Sequence, residues 1–170
     1  MSKKEKADKQ ISKAMLFDFG KDVHQYLYNQ VLIADAKVGL LLTINSLIIA
    51  YLFENRVADV PIVDTIAFSL AILFFFLSDL ISFLTIFPRL FSGGKGMIFW
   101  GDIATRNSPQ EYEDDAKRLS TAQLGEEYIY NNYYVSQIVK RKYRYIRQSM
   151  ILLFLGLASA IFYFIAAFFF

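Results

Sequence analysis

A row of mainly basic residues lies just before the last apolar segment of the chain. Its members recur at spacings of three and four residues, which places them on one face of a predicted helix, and two more basic residues lie beside them: Gln137, Lys140, Arg144 and Arg147, with Arg141 and Lys142. Basic side chains next to a membrane attract anions. These are either the headgroups of anionic lipids or the phosphate of a soluble ligand, which Arg and Lys bind by charge-assisted hydrogen bonds.

Charged residues in and beside the apolar segments form a second candidate site. On straight helices, Lys37 and Asp79 both lie roughly 25 Å from the turn that joins the first two apolar segments, and Arg147 lies at the start of the third. A carboxylate inside a membrane is costly unless it is paired. We therefore expect Asp79 to pair with Lys37 or Arg147, in a cluster that either only anchors the helices or has a functional role.

Polar side chains also interrupt the apolar segments. Thr43 and Asn45 lie in the first segment, and Ser78 and Ser82 lie in the second. Such residues either hold helices together by hydrogen bonds or line a polar path through the membrane. Three helices cannot enclose a wide pore, so a conducting role would require an oligomer.

Several kinds of chemistry are excluded. The chain has no cysteine and one histidine, His24, so Cys-ligated metal sites are ruled out and His24 lacks a second ligand. The segment 93–96 has neither the spacing of a phosphate-binding P-loop nor a Ser or Thr after its Lys. No residues are arranged as a nucleophile and its base. We expect no metal, no cofactor, no nucleic-acid partner and no enzymatic activity.

The elements that carry these residues are predicted from hydrophobicity. The chain has 170 residues, of which 55% are hydrophobic and 17% aromatic, and this is too apolar for a soluble domain. Its long apolar segments predict an all-α membrane protein with three transmembrane helices. Residues 14–53 form an amphipathic cytoplasmic helix that continues into span one, residues 62–87 form span two, and residues 149–170 form span three.

The remaining residues are predicted to lie outside the membrane. Residues 1–13 form a disordered, Lys-rich tail, and residues 54–61 form a short external turn. Residues 88–148 contain a short helix, which a Ser-Pro-x-Glu capping pattern starts at 108–111, and a long juxtamembrane helix. Because apolar Leu80–Phe87 would extend past the membrane, we expect other helices to cover it, so that the spans continue into a cytoplasmic helical bundle.

The distribution of Lys and Arg predicts the orientation. All but one of the 18 basic residues fall on the same side of the three predicted spans, the exception being Arg56. Since cytoplasmic loops carry the excess of Lys and Arg, the N-terminus is expected in the cytoplasm and the C-terminus outside. The first predicted helix also has one face on which six residues lie together, namely Met15, Phe19, Val23, Tyr26, Gln30 and Ala34.

Four segments together resemble one known family. They are Ala34–Asn45, the Phe-Pro-Arg triplet that ends in Arg89, the Ile98–Ala104 segment followed by Ser108-Pro109, and Ser136–Arg144. In order and spacing they are similar to the Pycsar effector family of small bacterial transmembrane proteins. The resemblance covers nearly all of the chain from Tyr26 to the third span.

The resemblance implies a role in anti-phage defence. In such systems a partner nucleotide cyclase makes a diffusible signal during infection, here expected to be cyclic CMP or cyclic UMP. The effector would then impair the bacterial inner (plasma) membrane, as a homo-oligomer in contact with the lipid bilayer, and would stop growth by abortive infection. Two alternatives stay open: a structural membrane anchor that recruits a soluble partner, and a small channel-like subunit with no nucleotide role.

The matching segments and the charge pattern together select candidate ligand-binding residues. Arg89, Lys142 and Arg144 are expected to contact a phosphate. Asp102 or Asp35 would hydrogen-bond a ribose or base, or would pair with those cations in the resting state. The alternative is that these residues form a purely structural network.

Overall fold

Helices are the regular elements of the described part of the chain. The computed structural model describes residues 3–57, 61–87 and 96–169, and all the regular elements in these ranges are helices. They are α1 (Lys3–Glu54), α2 (Ile62–Ile86), α3 (Trp100–Ile103), α4 (Pro109–Arg118) and α5 (Thr121–Phe169). The prediction of an all-α fold is therefore confirmed.

Three of these helices are long and apolar enough to cross a membrane. The stretches are Ser12–Glu54, Ile62–Ile86 and Thr121–Phe168. Large apolar side chains on them are exposed, among them Phe76 at 63% and Phe154 at 61%. A surface of this kind is stable in contact with lipid and costly in water. The chain is a membrane protein with three candidate spans.

Local sequence explains where the helices begin and end. α1 begins at Lys3, earlier than residue 14, because the Lys, Glu, Ala and Gln residues that predicted a disordered tail are also strong helix formers. α4 occupies the range predicted for it, and the Ser108 hydroxyl accepts a hydrogen bond from the Glu111 amide at 3.1 Å. Ser120 and Gln123 cap the start of α5 reciprocally. The Ser120 amide donates to the Gln123 side chain at 2.9 Å, and the Ser120 hydroxyl accepts from the Gln123 amide. The one-turn helix α3 was not predicted.

The chain forms two compact units, of which the first comprises Met1–Val31 and Pro88–Val139. Within it, α1 approaches α5 closely at Gly20, whose carbonyl accepts a 2.8 Å hydrogen bond from the Asn132 amide. A Cβ at Gly20 would lie 2.8 Å from the Cβ of Tyr128. Phe17 packs edge-on against Tyr128, with ring centroids 5.7 Å apart. Glycine is therefore needed at position 20 for this close contact.

The packed side of α1 in this unit differs from the apolar face that the sequence predicted. Phe17 and His24 are partly buried and Gly20 is buried. On the predicted face Val23 and Gln30 are partly buried, whereas Met15 is 65%, Phe19 59% and Tyr26 60% exposed. The close helix contact needs a small residue, and Gly20 lies on the side away from these three. Packing geometry therefore overrides the apolar pattern.

The second unit comprises Leu32–Phe87 and Lys140–Phe170, and its core joins α1, α2 and α5. One cluster includes Leu52, Phe75 and Tyr163, all fully buried. A second cluster includes Val38 and Ile146. The three candidate spans thus pack against one another through their apolar segments.

The apolar end of α2 is exposed, whereas the sequence predicted that other helices cover it. Five apolar residues in this stretch are exposed, namely Leu80, Phe83, Leu84, Ile86 and Phe87, and Phe87 is the most exposed at 70%. Exposed side chains of this size suit a lipid environment, so the hydrocarbon region is the simplest surrounding for the whole of α2. That the spans continue into a cytoplasmic bundle stays a prediction.

Two glycines on α1 provide a test of the close contact in the first unit. Gly20→Ala should destabilise the protein by about 1–3 kcal/mol, because the added methyl overlaps the Tyr128 side chain. Gly39→Ala is the matched control, since nothing lies within 4 Å of its Cβ position, and it should stabilise the helix by about 1 kcal/mol. Thermal unfolding in detergent measures both. Equal melting temperatures for the two variants would contradict the close contact at Gly20.

Candidate functional site

An ion pair joins the three long helices at the end of the second unit where α2 terminates. The Lys142 ammonium on α5 contacts the Asp35 carboxylate on α1 and donates a 3.0 Å hydrogen bond to the Thr85 carbonyl on α2. The Lys142 side chain is only 14% exposed and that of Asp35 is 40% exposed. Asp35 is thus paired with a candidate phosphate-binding cation, which is one of the alternatives that the sequence left open.

The predicted pairing of Asp79 with Lys37 or Arg147 is wrong. Lys37 lies over the Tyr143 ring instead, with its ammonium 5.1 Å from the ring centroid, and Arg147 is exposed. Asp79 accepts a 2.7 Å hydrogen bond from the Asn45 amide. Counting along straight helices predicts how far along a helix a residue lies but not the side of the helix on which it lies.

A hydrogen-bonded polar network lies inside the apolar part of the second unit. The Asn45 amide on α1 donates to both Asp79 and the Ser78 hydroxyl on α2, the latter at 2.9 Å. Ser78 also contacts Ser149 on α5 at 2.8 Å, and Ser149 lies 2.7 Å from the Ser82 hydroxyl. We call these five residues the span network. It connects all three candidate spans.

Small side chains explain why the span network forms at this level. The Ser78 hydroxyl lies 2.9 Å from the Ser149 carbonyl, and the Ser149 hydroxyl lies 3.0 Å from the Ser78 carbonyl. This reciprocal arrangement requires the two helix backbones to approach closely, which small residues permit. Asn45, Ser78, Ser82 and Ser149 are all fully buried. Inside a membrane these polar groups have only each other as partners.

The four polar residues predicted to lie in the spans fall into two groups. Asn45, Ser78 and Ser82 belong to the span network, whereas Thr43 is exposed and donates to the Gly39 carbonyl on its own helix at 3.0 Å. Ser149 was treated only as the start of a span. Ser149 lies three residues after the apolar Ile146, which is buried. That spacing places both residues on one face of a helix, and it could have identified Ser149 as a packed residue.

A second polar cluster in the first unit is built around an arginine that the sequence did not single out. Arg106 donates to the carbonyls of Gly96 and Asp102 at 2.9 and 2.8 Å and pairs with Asp115 at 3.3 Å. Its side chain is 3% exposed. Asp102 is itself 7% exposed, and its carboxylate lies beside Gly96. These contacts hold the segment around α3, which is a structural role.

Of the other two predicted phosphate-binding residues, Arg144 is described by the structure and Arg89 is not. Arg144 is exposed on α5 and forms no ion pair with a described residue. Arg89 lies outside the described residues.

His24 contacts the side chains of Asn131 and Asn132 at 3.3 Å, as an ordinary position in a helix contact. Within the described ranges no three His, Asp or Glu residues are grouped as metal ligands.

These features define a class: a small, all-helical membrane protein whose three candidate spans are joined by an ion pair and a buried polar network. A family model described as the Pycsar effector protein domain matches residues 19–170. The chain therefore belongs to the Pycsar effector family of transmembrane antiviral defence proteins.

A curated relative agrees with this assignment. The chain is 27% identical over 142 residues to a Pycsar effector protein of Staphylococcus aureus, SaPycTM, and the match covers 82% of this chain and 89% of the relative. No solved structure matches the chain.

The span network can be tested by removing its central amide. Asn45→Leu should destabilise the protein by about 1–2 kcal/mol, because Asp79 and Ser78 lose their donor within the membrane. Thr43→Val is a matched control on the same helix, since Thr43 bonds only to its own helix. Thermal unfolding in lipid–detergent micelles measures the difference. If both variants melt at the same temperature, the network does not hold the spans together.

Proposed function

We propose that this protein is the membrane effector of a bacterial cyclic-nucleotide anti-phage system, and that it impairs the inner membrane when a cyclic pyrimidine nucleotide is made. Family membership supports the defensive role. The observation that carries the mechanism is the ion pair at Lys142, which connects all three candidate spans at one end of the second unit. A ligand acting there would affect every span at once.

The proposed ligand competes for Lys142. A cyclic nucleotide carries one phosphate charge, and a phosphate oxygen accepts charge-assisted hydrogen bonds from Lys and Arg as a carboxylate does. Binding it would take the Lys142 ammonium from Asp35 and from the Thr85 carbonyl. A ligand shifts a conformational equilibrium only by its differential affinity for the two states. The phosphate binds Lys142 only in the released state, and this gain must exceed the cost of losing the two contacts.

Additional cations would hold the ligand. Arg144 is exposed on α5 two residues after Lys142, so it faces another side of the helix. We propose that it contacts the phosphate as the ligand approaches from solvent, with Arg89 as a further candidate. Asp35, once released, would accept a hydrogen bond from the ribose or base. The signal would be cyclic CMP or cyclic UMP, supplied by a partner cyclase as a diffusible product.

Membrane impairment in this proposal requires more than one copy. Three spans enclose no wide aqueous path, so the active form would be a homo-oligomer in the lipid bilayer. The basic residues would face the cytoplasm, where the nucleotide is made, with the N-terminus on the same side and the C-terminus outside.

Reconstituted liposomes test the proposal. The full chain, in vesicles loaded with a self-quenching dye, should release dye on addition of cyclic CMP or cyclic UMP, and not with cyclic AMP or without nucleotide. Arg144→Gln should abolish the release, because a phosphate contact is lost. Arg118→Gln is the control, since Arg118 is an exposed arginine on α4 outside this basic row, and it should behave as the unmodified protein.

The same experiment distinguishes the alternatives. An effector that inserts but releases no dye with any nucleotide contradicts direct sensing and favours an anchor. Dye release that is equal with and without nucleotide favours a channel-like subunit with no nucleotide role.

Removal of the carboxylate partner should mimic the ligand. Asp35→Asn leaves Lys142 without its counter-ion, so we expect dye release without nucleotide and slowed growth of bacteria that express the variant. Asp18→Asn is the control, since Asp18 is an exposed acid on the same helix. An Asp35→Asn variant that inserts normally and stays silent would show that the ion pair does not hold the resting state.

A further inference from the structure

The only charged residues within the three apolar segments are acidic. Asp64 and Asp79, both on α2, are the only Asp, Glu, Lys or Arg residues in the segments 38–53, 62–87 and 149–170. Charged side chains inside spans are costly and rarely lie there without a function. Both supply carboxyl oxygens to the three spans, and no basic side chain lies in these segments.

Neither carboxylate is neutralised by a cation of the second unit. Asp64 is 2% exposed, and no Lys or Arg among the described residues forms an ion pair with it or with Asp79. The nearby basic residues are engaged elsewhere: Arg56 lies over the Phe68 ring, with its guanidinium carbon 5.3 Å from the ring centroid, and Lys142 pairs with Asp35.

Unsatisfied buried atoms add an independent observation. Among the described residues, two buried side-chain atoms have no hydrogen-bond partner, and both are oxygens: Oδ1 of Asn45 and Oδ2 of Asp64. Asn45 is fully buried, and its amide nitrogen bonds to Asp79. An acceptor buried without a donor is expensive, whereas a hard monovalent cation is bound by oxygen ligands of this kind.

The two carboxyl groups, of Asp64 and Asp79, lie at different levels of α2. Asp64 is close to the start of the helix, and Asp79 is 15 residues further along, which corresponds to about 22 Å at the helical rise. The buried side of α2 between them includes Phe68 and Phe75 as well as Ala67 and Ala71. The two carboxylates are therefore separate acidic positions, one near each end of the buried face.

From these observations we infer that the membrane leak is selective for monovalent cations, and that Asp64 and Asp79 are the residues that attract them. Acidic side chains along a pore favour cations and exclude anions. The inference deepens the proposed function, on which it rests, because it specifies what crosses the membrane. The defence would then act by collapsing cation gradients rather than by general disruption of the bilayer.

Planar bilayers separate this inference from the proposed function. The full chain is reconstituted between unequal KCl solutions, with cyclic CMP and cyclic UMP on both sides, and the Asp35→Asn variant is included as a nucleotide-independent arm. The expected current reverses close to the potassium equilibrium potential. Asp79→Asn and Asp64→Asn should each shift the reversal potential toward zero. Asp79→Glu keeps the carboxyl group, so its reversal potential should stay close to the potassium equilibrium potential.

A carboxylate outside the spans provides the control variant for this experiment. Asp114→Asn removes an exposed carboxylate outside the spans and should leave the reversal potential unchanged. Where Asp79→Asn fails to insert, Asp64→Asn and Asp79→Glu still decide the question. Current that reverses near zero in the unmodified chain overturns the inference and leaves the proposed function standing. No current in any arm, including Asp35→Asn, overturns both.

Discussion

The absence of hydrogen-bond partners in lipid is the constraint on which this structure depends. A buried polar group between spans has no water to bond with, so it must find its partner on a neighbouring helix. The span network follows from this: the Asn45 amide has partners on α2, and Ser78 and Ser149 bond to each other's backbone. The same constraint makes any rearrangement of the spans costly unless a ligand compensates for it.

The ion pair and the span network have different positions and different consequences. The network is buried among apolar residues and fixes the register of the helices. The ion pair lies at the end of α2, where the Asp35 side chain is 40% exposed. In the proposed orientation this end lies at the cytoplasmic surface of the membrane, where water weakens an ion pair. The proposed ligand would then compete for Lys142 without first breaking the network.

Sequence reasoning predicted the helices better than their contacts. Apolar segments, Pro residues and the Ser108 and Ser120 caps are local features, and local features determine where helices form. The partner of Asp79 and the packed face of α1 depend on how each helix is rotated, which no count along the chain supplies. Arg106 could not be singled out because its partners are largely backbone carbonyls, which are the same for every residue type.

We propose that a cyclic nucleotide separates α1 from α5 at the ion pair. The chain has no cysteine, so spin labels can be attached at Ala36→Cys and Gln148→Cys alone, both exposed in the second unit. Pulsed electron spin resonance in liposomes measures the distance between them. Cyclic CMP or cyclic UMP should lengthen this distance, and Lys142→Gln should remove the effect. An unchanged distance in vesicles that release dye on the same nucleotide would contradict the proposed separation.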